Sequence, residues 1–125
     1  MARVALVVDD SMLIRHTVCR YLEHRGFAVE SATNGAEALA ILKTVLPDII
    51  ITDMLMPKMD GRELITNLKA MPQTAEIPIV VIAGKNTTDS QEEKRANFII
   101  YKDIEIESQL QKALISALGD GAVDD

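Results

Sequence analysis

Tryptophan is absent from this chain, and tyrosine and phenylalanine together make up only 3% of its 125 residues. Stacking platforms for nucleic-acid bases are therefore nearly missing. Positive charge is also short: 13 Lys and Arg stand against 19 Asp and Glu, giving a net charge of −6 and a pI near 4.9. Phosphate backbones are bound by Lys and Arg, so no nucleic-acid partner is expected, and a divalent cation or a basic protein surface is the better match. Cys19 is the only cysteine, which excludes a disulfide framework and a CxxC site. It falls in an apolar helical stretch and reads as a small core residue rather than a reactive thiol. The apolar run VALVV near the start is too short for a signal-peptide core, and no run approaches the roughly 18 residues of a membrane span. No membrane association is expected, and the cytoplasm is the default compartment. A Walker-type glycine loop, a GxSxG elbow and an HExxH motif are all missing.

What is present is ordinary globular composition, 48% hydrophobic and 26% charged, in a length that suits one domain. The organising stretch is Asp48 to Gly61, DIIITDMLMPKMDG. Three consecutive isoleucines, Ile49 to Ile51, suit a short strand buried on both faces. Thr52 and Asp53 are expected to carry the chain out of the hydrophobic layer, and Pro57 with Asp60 and Gly61 mark a turning loop.

Taken in order, Val4 to Val8 predicts a buried strand with Asp9 and Asp10 at its exit. Ser11, or Asp10 with it, can cap a helix whose Ile14, Val18 and Leu22 form an apolar stripe ended by Gly26. Phe27 to Ser31 reads as a strand. Ala38, Leu39, Leu42, Val45 and Leu46 give the next helix its apolar face, with Pro47 closing it. After the isoleucine strand, Leu64, Ile65 and Leu68 mark a helix from about Gly61 to Met71. Ile79 to Ile82 is a fourth strand ending at Ala83 and Gly84, and Phe98 to Tyr101 a fifth ending at Lys102. The polar stretch Lys85 to Asn97 predicts at best a short exposed helix. Ile106, Leu110, Leu114, Ala117 and Leu118 follow a 3.6-residue period, and residues 119–125 form a small acidic tail.

Short apolar strands alternating five times with helices imply an α/β fold with a parallel sheet covered on both faces. In such a sheet all strand C-termini lie at one edge, so Asp9, Asp10, Asp53 and Lys102 gather from distant positions. Three carboxylates repel unless a cation sits among them, and Mg²⁺ prefers a few carboxylates, waters and a phosphate. A lysine opposite can hold phosphate oxygens as a point charge. The chemistry this suits is phosphoryl transfer to a carboxylate. A metal site without chemistry would place the same residues together.

The runs VALVVDDSMLIR, FAVESATNGAEAL and PDIIITDMLMPKMDG resemble, in order and spacing, the receiver domain of two-component response regulators. The specific signal is DxxMPxMDG after an apolar strand, preceded by an acidic pair after the first strand. The resemblance extends to about Leu118, which implies a receiver domain over residues 1–118 and a tail over 119–125. It implies a flavodoxin-like (βα)5 three-layer sandwich with strand order 2-1-3-4-5. Carried over by position, Asp53 is the aspartate phosphorylated by a sensor histidine kinase or a phosphotransfer protein. Asp10 binds Mg²⁺ directly and Asp9 jointly or through water, the backbone carbonyl of Leu55 completes the metal shell, and Lys102 contacts the phosphoryl group. A stand-alone signalling domain follows, a monomer or weak dimer, with a downstream protein target the sequence does not name.

Departures from the family cluster in one region. Ala83 stands in place of the usual Ser or Thr, Ile99 in place of an inward-turning Phe or Tyr, and Asp103 in place of the Pro after the lysine. The stretch from Ala83 to Lys102 is about one helical turn short. Thr87, Thr88 or Tyr101 are the candidate replacement hydroxyls, though no spacing supports them. Bulky Leu55 and cationic Lys85 suggest slow self-dephosphorylation. Two rival readings are a degenerate receiver serving as a protein-binding module, and a small Mg²⁺-dependent aspartyl phosphohydrolase. The latter needs an acid two residues after the nucleophile, where this chain has Leu55. His16 and His24 lie two turns apart, too far for a metal pair, and read as surface residues. Met54, Met56 and Met59 read as loop packing, and the Gln91 to Arg95 charges as a solvated face.

Overall fold

The computed structural model describes residues 3–84, 95–102 and 105–119. Five strands, β1 (Val4–Val8), β2 (Ala28–Ala32), β3 (Ile49–Asp53), β4 (Ile79–Ala83) and β5 (Phe98–Tyr101), pair in parallel in the order β2-β1-β3-β4-β5. The described helices are α1 (Met12–His24), α2 (Gly35–Ile41), α3 (Gly61–Ala70) and α4 (Ile106–Leu118). The expected flavodoxin-like architecture is therefore present. None of the described helices is long and apolar enough to cross a membrane.

The isoleucine run explains the layering. Successive strand side chains point to opposite faces, so β3 and its neighbours must feed two cores at once. Ile49 and Ile51 pack with Val7, Val80 and Ile82 beneath α1 and α4, against Val18, Leu22, Leu110 and Leu114. Ile50 packs with Leu6, Val8, Ile79 and Val81 on the other face, against Ala38, Leu64, Ile65 and Leu68 of α2 and α3. All three isoleucines are fully buried. Each contributes about 1.5–3 kcal/mol by leaving water, and an aspartate at Ile50 would lose that and add the larger cost of an unpaired buried charge.

The structure corrects three boundaries. β2 begins at Ala28 rather than Phe27, because the Phe27 N–H is committed to capping α1. Gly26, at φ +88°, lets the chain turn back; its N–H donates to the Glu23 carbonyl (3.1 Å) and that of Phe27 to the Leu22 carbonyl (3.1 Å). α2 ends at Ile41, before Val45 and Leu46 can join its apolar face, and Leu46 is 59% exposed. Beyond it Lys43 N–H to Ala40 and Thr44 N–H to Ile41 tighten to a three-residue span, Val45 N–H shares the Ile41 carbonyl, and Pro47 disfavours helix at Leu46. β3 continues through Thr52 and Asp53, which stay buried and pair with β4 instead of leaving the layer. Of the segment read as a short exposed helix, residues 85–94 lie outside the described residues, including Lys85, Thr87, Thr88 and all of the Gln91 to Arg95 run except Arg95. So do Asp103 and all of the tail beyond Gly119.

Candidate functional site

Register puts the strand ends level. Val8 lies opposite Thr52, Asp53 opposite Ile82, and Ala83 opposite Tyr101. The residues just past β1 and β5 therefore meet the last residue of β3 at the C-terminal edge of the sheet. β1 sits between β2 and β3, so the winding reverses there, and open α/β sheets bind ligands at that crevice.

Asp9 and Asp53 are both buried, while Asp10 is exposed. The Lys102 ammonium donates to the Asp53 carboxylate at 3.0 Å and lies 3.8 Å from the Asp9 carboxylate. Asp53 also accepts from the Met54 N–H at 2.8 Å, and the Leu55 N–H points to the same carboxylate. Asp9 accepts from the Ser11 N–H at 2.8 Å through one oxygen, while its other oxygen, Oδ2, is buried without a hydrogen-bond partner. Carboxylate oxygens of Asp9, Asp10 and Asp53 fall within 4.8 Å of one another, the only such cluster of potential metal ligands among the described residues.

Electrostatics follow from burial. Desolvation pushes the Asp9 carboxyl up to about 6, against the Ser11 hydrogen bond, with the negative charge of Asp53 adding to the rise. Desolvation also raises Asp53, opposed by the Lys102 hydrogen bond and charge. For Lys102, burial acts to lower the ammonium's pKa, but the hydrogen bond and charge of Asp53 and the charge of Asp9 outweigh it and raise it. Three carboxylates and one ammonium leave two negative charges at the site. Hard oxygen donors, an unpartnered buried carboxylate oxygen and a charge deficit of two fit a divalent cation such as Mg²⁺.

The surrounding loop depends on close approach. Gly61 donates its N–H to the Met54 carbonyl at 2.9 Å. A Cβ there would overlap the Asp53 carbonyl and lie 2.8 Å from Met54 Cα, so α3 reaches this strand only because residue 61 is glycine. Asp60 caps α3 by accepting from the Glu63 N–H at 2.9 Å. Lys58, at φ +68°, holds a left-handed conformation that side chains adopt rarely. Met54 is buried, and Met56 and Met59 pack against the same core, as loop packing required.

Each charged residue expected at the edge is thus brought there. Ala83 ends β4 with a buried methyl group, and its carbonyl accepts from the Lys102 N–H at 2.9 Å. Ile99 is half-buried against the core under α2 and α3. His16 and His24 are exposed, and Leu55 is 63% exposed beside the acceptor. Arg15, which donates to the Asp9 carbonyl at 2.8 Å, and Thr52, which donates to the Asp53 carbonyl at 2.9 Å, went unforeseen. Neither bond leaves a trace in residue spacing.

The family model for the response regulator receiver domain matches residues 5–114. Among curated relatives, response regulator MprA of Mycobacterium sp. (strain KMS) is 33% identical over 86 residues, covering 69% of this chain and 36% of the relative. The chain thus spans little more than a third of that relative's length. Chemotaxis protein CheY4 of Vibrio cholerae superposes with a TM-score of 0.85 at 30% identity, covering 94% of this chain and all of that one. The receiver domain of a sensor histidine kinase from Pseudomonas aeruginosa PAO1 has a TM-score of 0.85 at 20% identity, covering 96% of this chain and 100% of that one. That likeness speaks for the fold, and its structure is described with a magnesium ion in the active-site cleft.

Proposed function

The chain belongs to the response regulator receiver family, and from that premise we propose that Asp53 accepts a phosphoryl group in two-component signalling. The observation that carries the proposal is the Asp53 carboxylate with the Lys102 ammonium at 3.0 Å and two further carboxylates within 4.8 Å. The donor is the phosphohistidine of a sensor histidine kinase or of a phosphotransfer protein. A carboxylate oxygen of Asp53 forms a bond to phosphorus while the bond from phosphorus to the donor nitrogen breaks. The electron pair stays on that nitrogen, and because the other ring nitrogen of the phosphohistidine carries a proton, the leaving group is a neutral imidazole.

Asp9, Asp10, Asp53 and the backbone carbonyl of Leu55 would hold Mg²⁺, which when bound supplies positive charge opposite the phosphoryl oxygens. Lys102 supplies the second positive charge and is already aligned on the acceptor, so little reorganisation is needed as charge shifts onto the transferring oxygens. The Met54 and Leu55 N–H groups orient the carboxylate. Residues 1–118 act as the signalling unit, followed by the acidic segment 119–125, and the chain works in the cytoplasm. Ala83 and Ile99 alter the readout: the methyl group of Ala83 has no hydrogen bond to offer a phosphoryl oxygen. A phosphohydrolase reading finds no general acid, since Leu55 occupies that place.

The test is intact mass after incubation with Mg²⁺ and acetyl phosphate, comparing wild type with Asp53→Asn. The proposal requires one phosphoryl group on wild type and none on the variant.

A further inference from the structure

Among the described residues β5 is an outer strand of the sheet, so alternate N–H and C=O groups along it face away from β4 and have no described strand to pair with. At Tyr101 both outward groups are taken by one side chain. Its N–H donates to Gln109 Oε1 at 2.9 Å, and its carbonyl accepts from Gln109 Nε2 at 2.9 Å. The same Nε2 donates to the Glu105 carbonyl at 3.0 Å, which ties the carboxamide to the start of α4. One residue further on, the Lys102 N–H turns inward to the Ala83 carbonyl at 2.9 Å. The backbone that launches the Lys102 side chain is therefore held from both sides, by β4 within and by Gln109 without.

We propose that Gln109 is a positioning residue for Lys102: its carboxamide replaces a missing neighbour strand at Tyr101 and fixes where the lysine begins its reach to Asp53. The proposal rests on the phosphoacceptor reading and adds a residue to that site. Only an amide meets the requirement. It presents one acceptor and one donor side by side, as a peptide group does, and glutamate lacks the donor that the Tyr101 carbonyl needs. Only three residues separate Lys102 from Ile106, so the anchor acts over a short span of chain. Lysine itself is a flexible four-carbon arm. Errors of about 1 Å at a reacting group cost up to roughly a hundredfold in rate, so fixing the arm's origin matters.

The test combines rate and amide exchange on Gln109→Ala and the isosteric Gln109→Glu, each first checked for cooperative thermal unfolding. Phosphoryl uptake from acetyl phosphate with Mg²⁺ should slow about tenfold in both. Adding Gln109→Ala to Lys102→Ala should cause no further loss, because the residue acts through the lysine. Hydrogen exchange of the Tyr101 amide should speed at least about tenfold in Gln109→Ala without any phosphodonor. Unchanged uptake in both variants, an added loss on the Lys102→Ala background, or an unchanged Tyr101 amide would each overturn the role of Gln109. Absence of any adduct on wild type would instead overturn the phosphoacceptor reading itself.

Discussion

Lys102 and Asp53, 49 residues apart, meet at 3.0 Å across two strand ends, with only 5% of the aspartate side chain exposed. Removing the ammonium leaves two buried carboxylates facing each other and strips a positive charge from the transferring group. Lys102→Ala should slow phosphoryl uptake by about 10- to 100-fold, since a hydrogen bond to a charged group is worth roughly 1.5–3 kcal/mol and here it is preorganised on the acceptor. Time-resolved intact mass measures this, and a rate within twofold of wild type would remove Lys102 from the chemistry.

Asp9 predicts a pH dependence of opposite sign to that of most native carboxylates. Its folded pKa of about 6 lies above the usual 3.8, so the folded state binds this proton more tightly than the unfolded state does. The stabilisation is complete below the lower value and is lost as pH rises through about 6. The rise is worth at most about 3 kcal/mol. Asp9→Asn should therefore unfold at higher temperature than wild type at pH 8 without divalent cation, and the advantage should shrink toward pH 4. Mg²⁺ should raise the wild-type unfolding temperature and narrow the same gap. Thermal melts across pH, with and without Mg²⁺, check both statements.

Gly61→Ala should destabilise the fold by about 1–3 kcal/mol, the range typical of overpacking. The new Cβ would meet the Asp53 carbonyl and Met54 Cα, neither of which is the end of a flexible side chain. Urea unfolding measures the loss. Phosphoryl uptake at low temperature, where the variant stays folded, should also fall because the strand carrying Asp53 must shift.

Leu55 bears on how long a phosphoryl group lasts. Its side chain is 63% exposed and follows the acceptor by two residues, where it can obstruct attacking water without offering a base. Wild-type phosphoprotein should have a half-life of minutes or longer, and Leu55→Asn should shorten it several-fold. A wild-type half-life of seconds contradicts the account of this residue.

The elements legible in the sequence were those whose apolar run coincides with the strand itself. Val4 to Val8 and Phe98 to Tyr101 are such runs, and the acids and lysine beyond them had to converge once the strands were parallel. Phe27 and Leu46 misled for opposite reasons. Phe27 is apolar enough for the strand, but its N–H is spent on the α1 cap; Leu46 keeps the helical period, but the chain has already left the helix. Gln109 was invisible because its partners are backbone groups, and side-chain periodicity carries no record of which peptide group a carboxamide will reach. The Asp9 oxygen left without a partner was equally hidden, since it depends on where Ser11 and Lys102 come to lie.

The most direct measurement of the central claim is Mg²⁺-dependent phosphorylation by acetyl phosphate, followed by intact mass and peptide mapping of the modified residue. The account predicts a single phosphoryl group on Asp53, lost with Asp53→Asn and suppressed by chelating the metal. An unmodified wild type under these conditions, or a phosphoryl group that persists in Asp53→Asn, would contradict it.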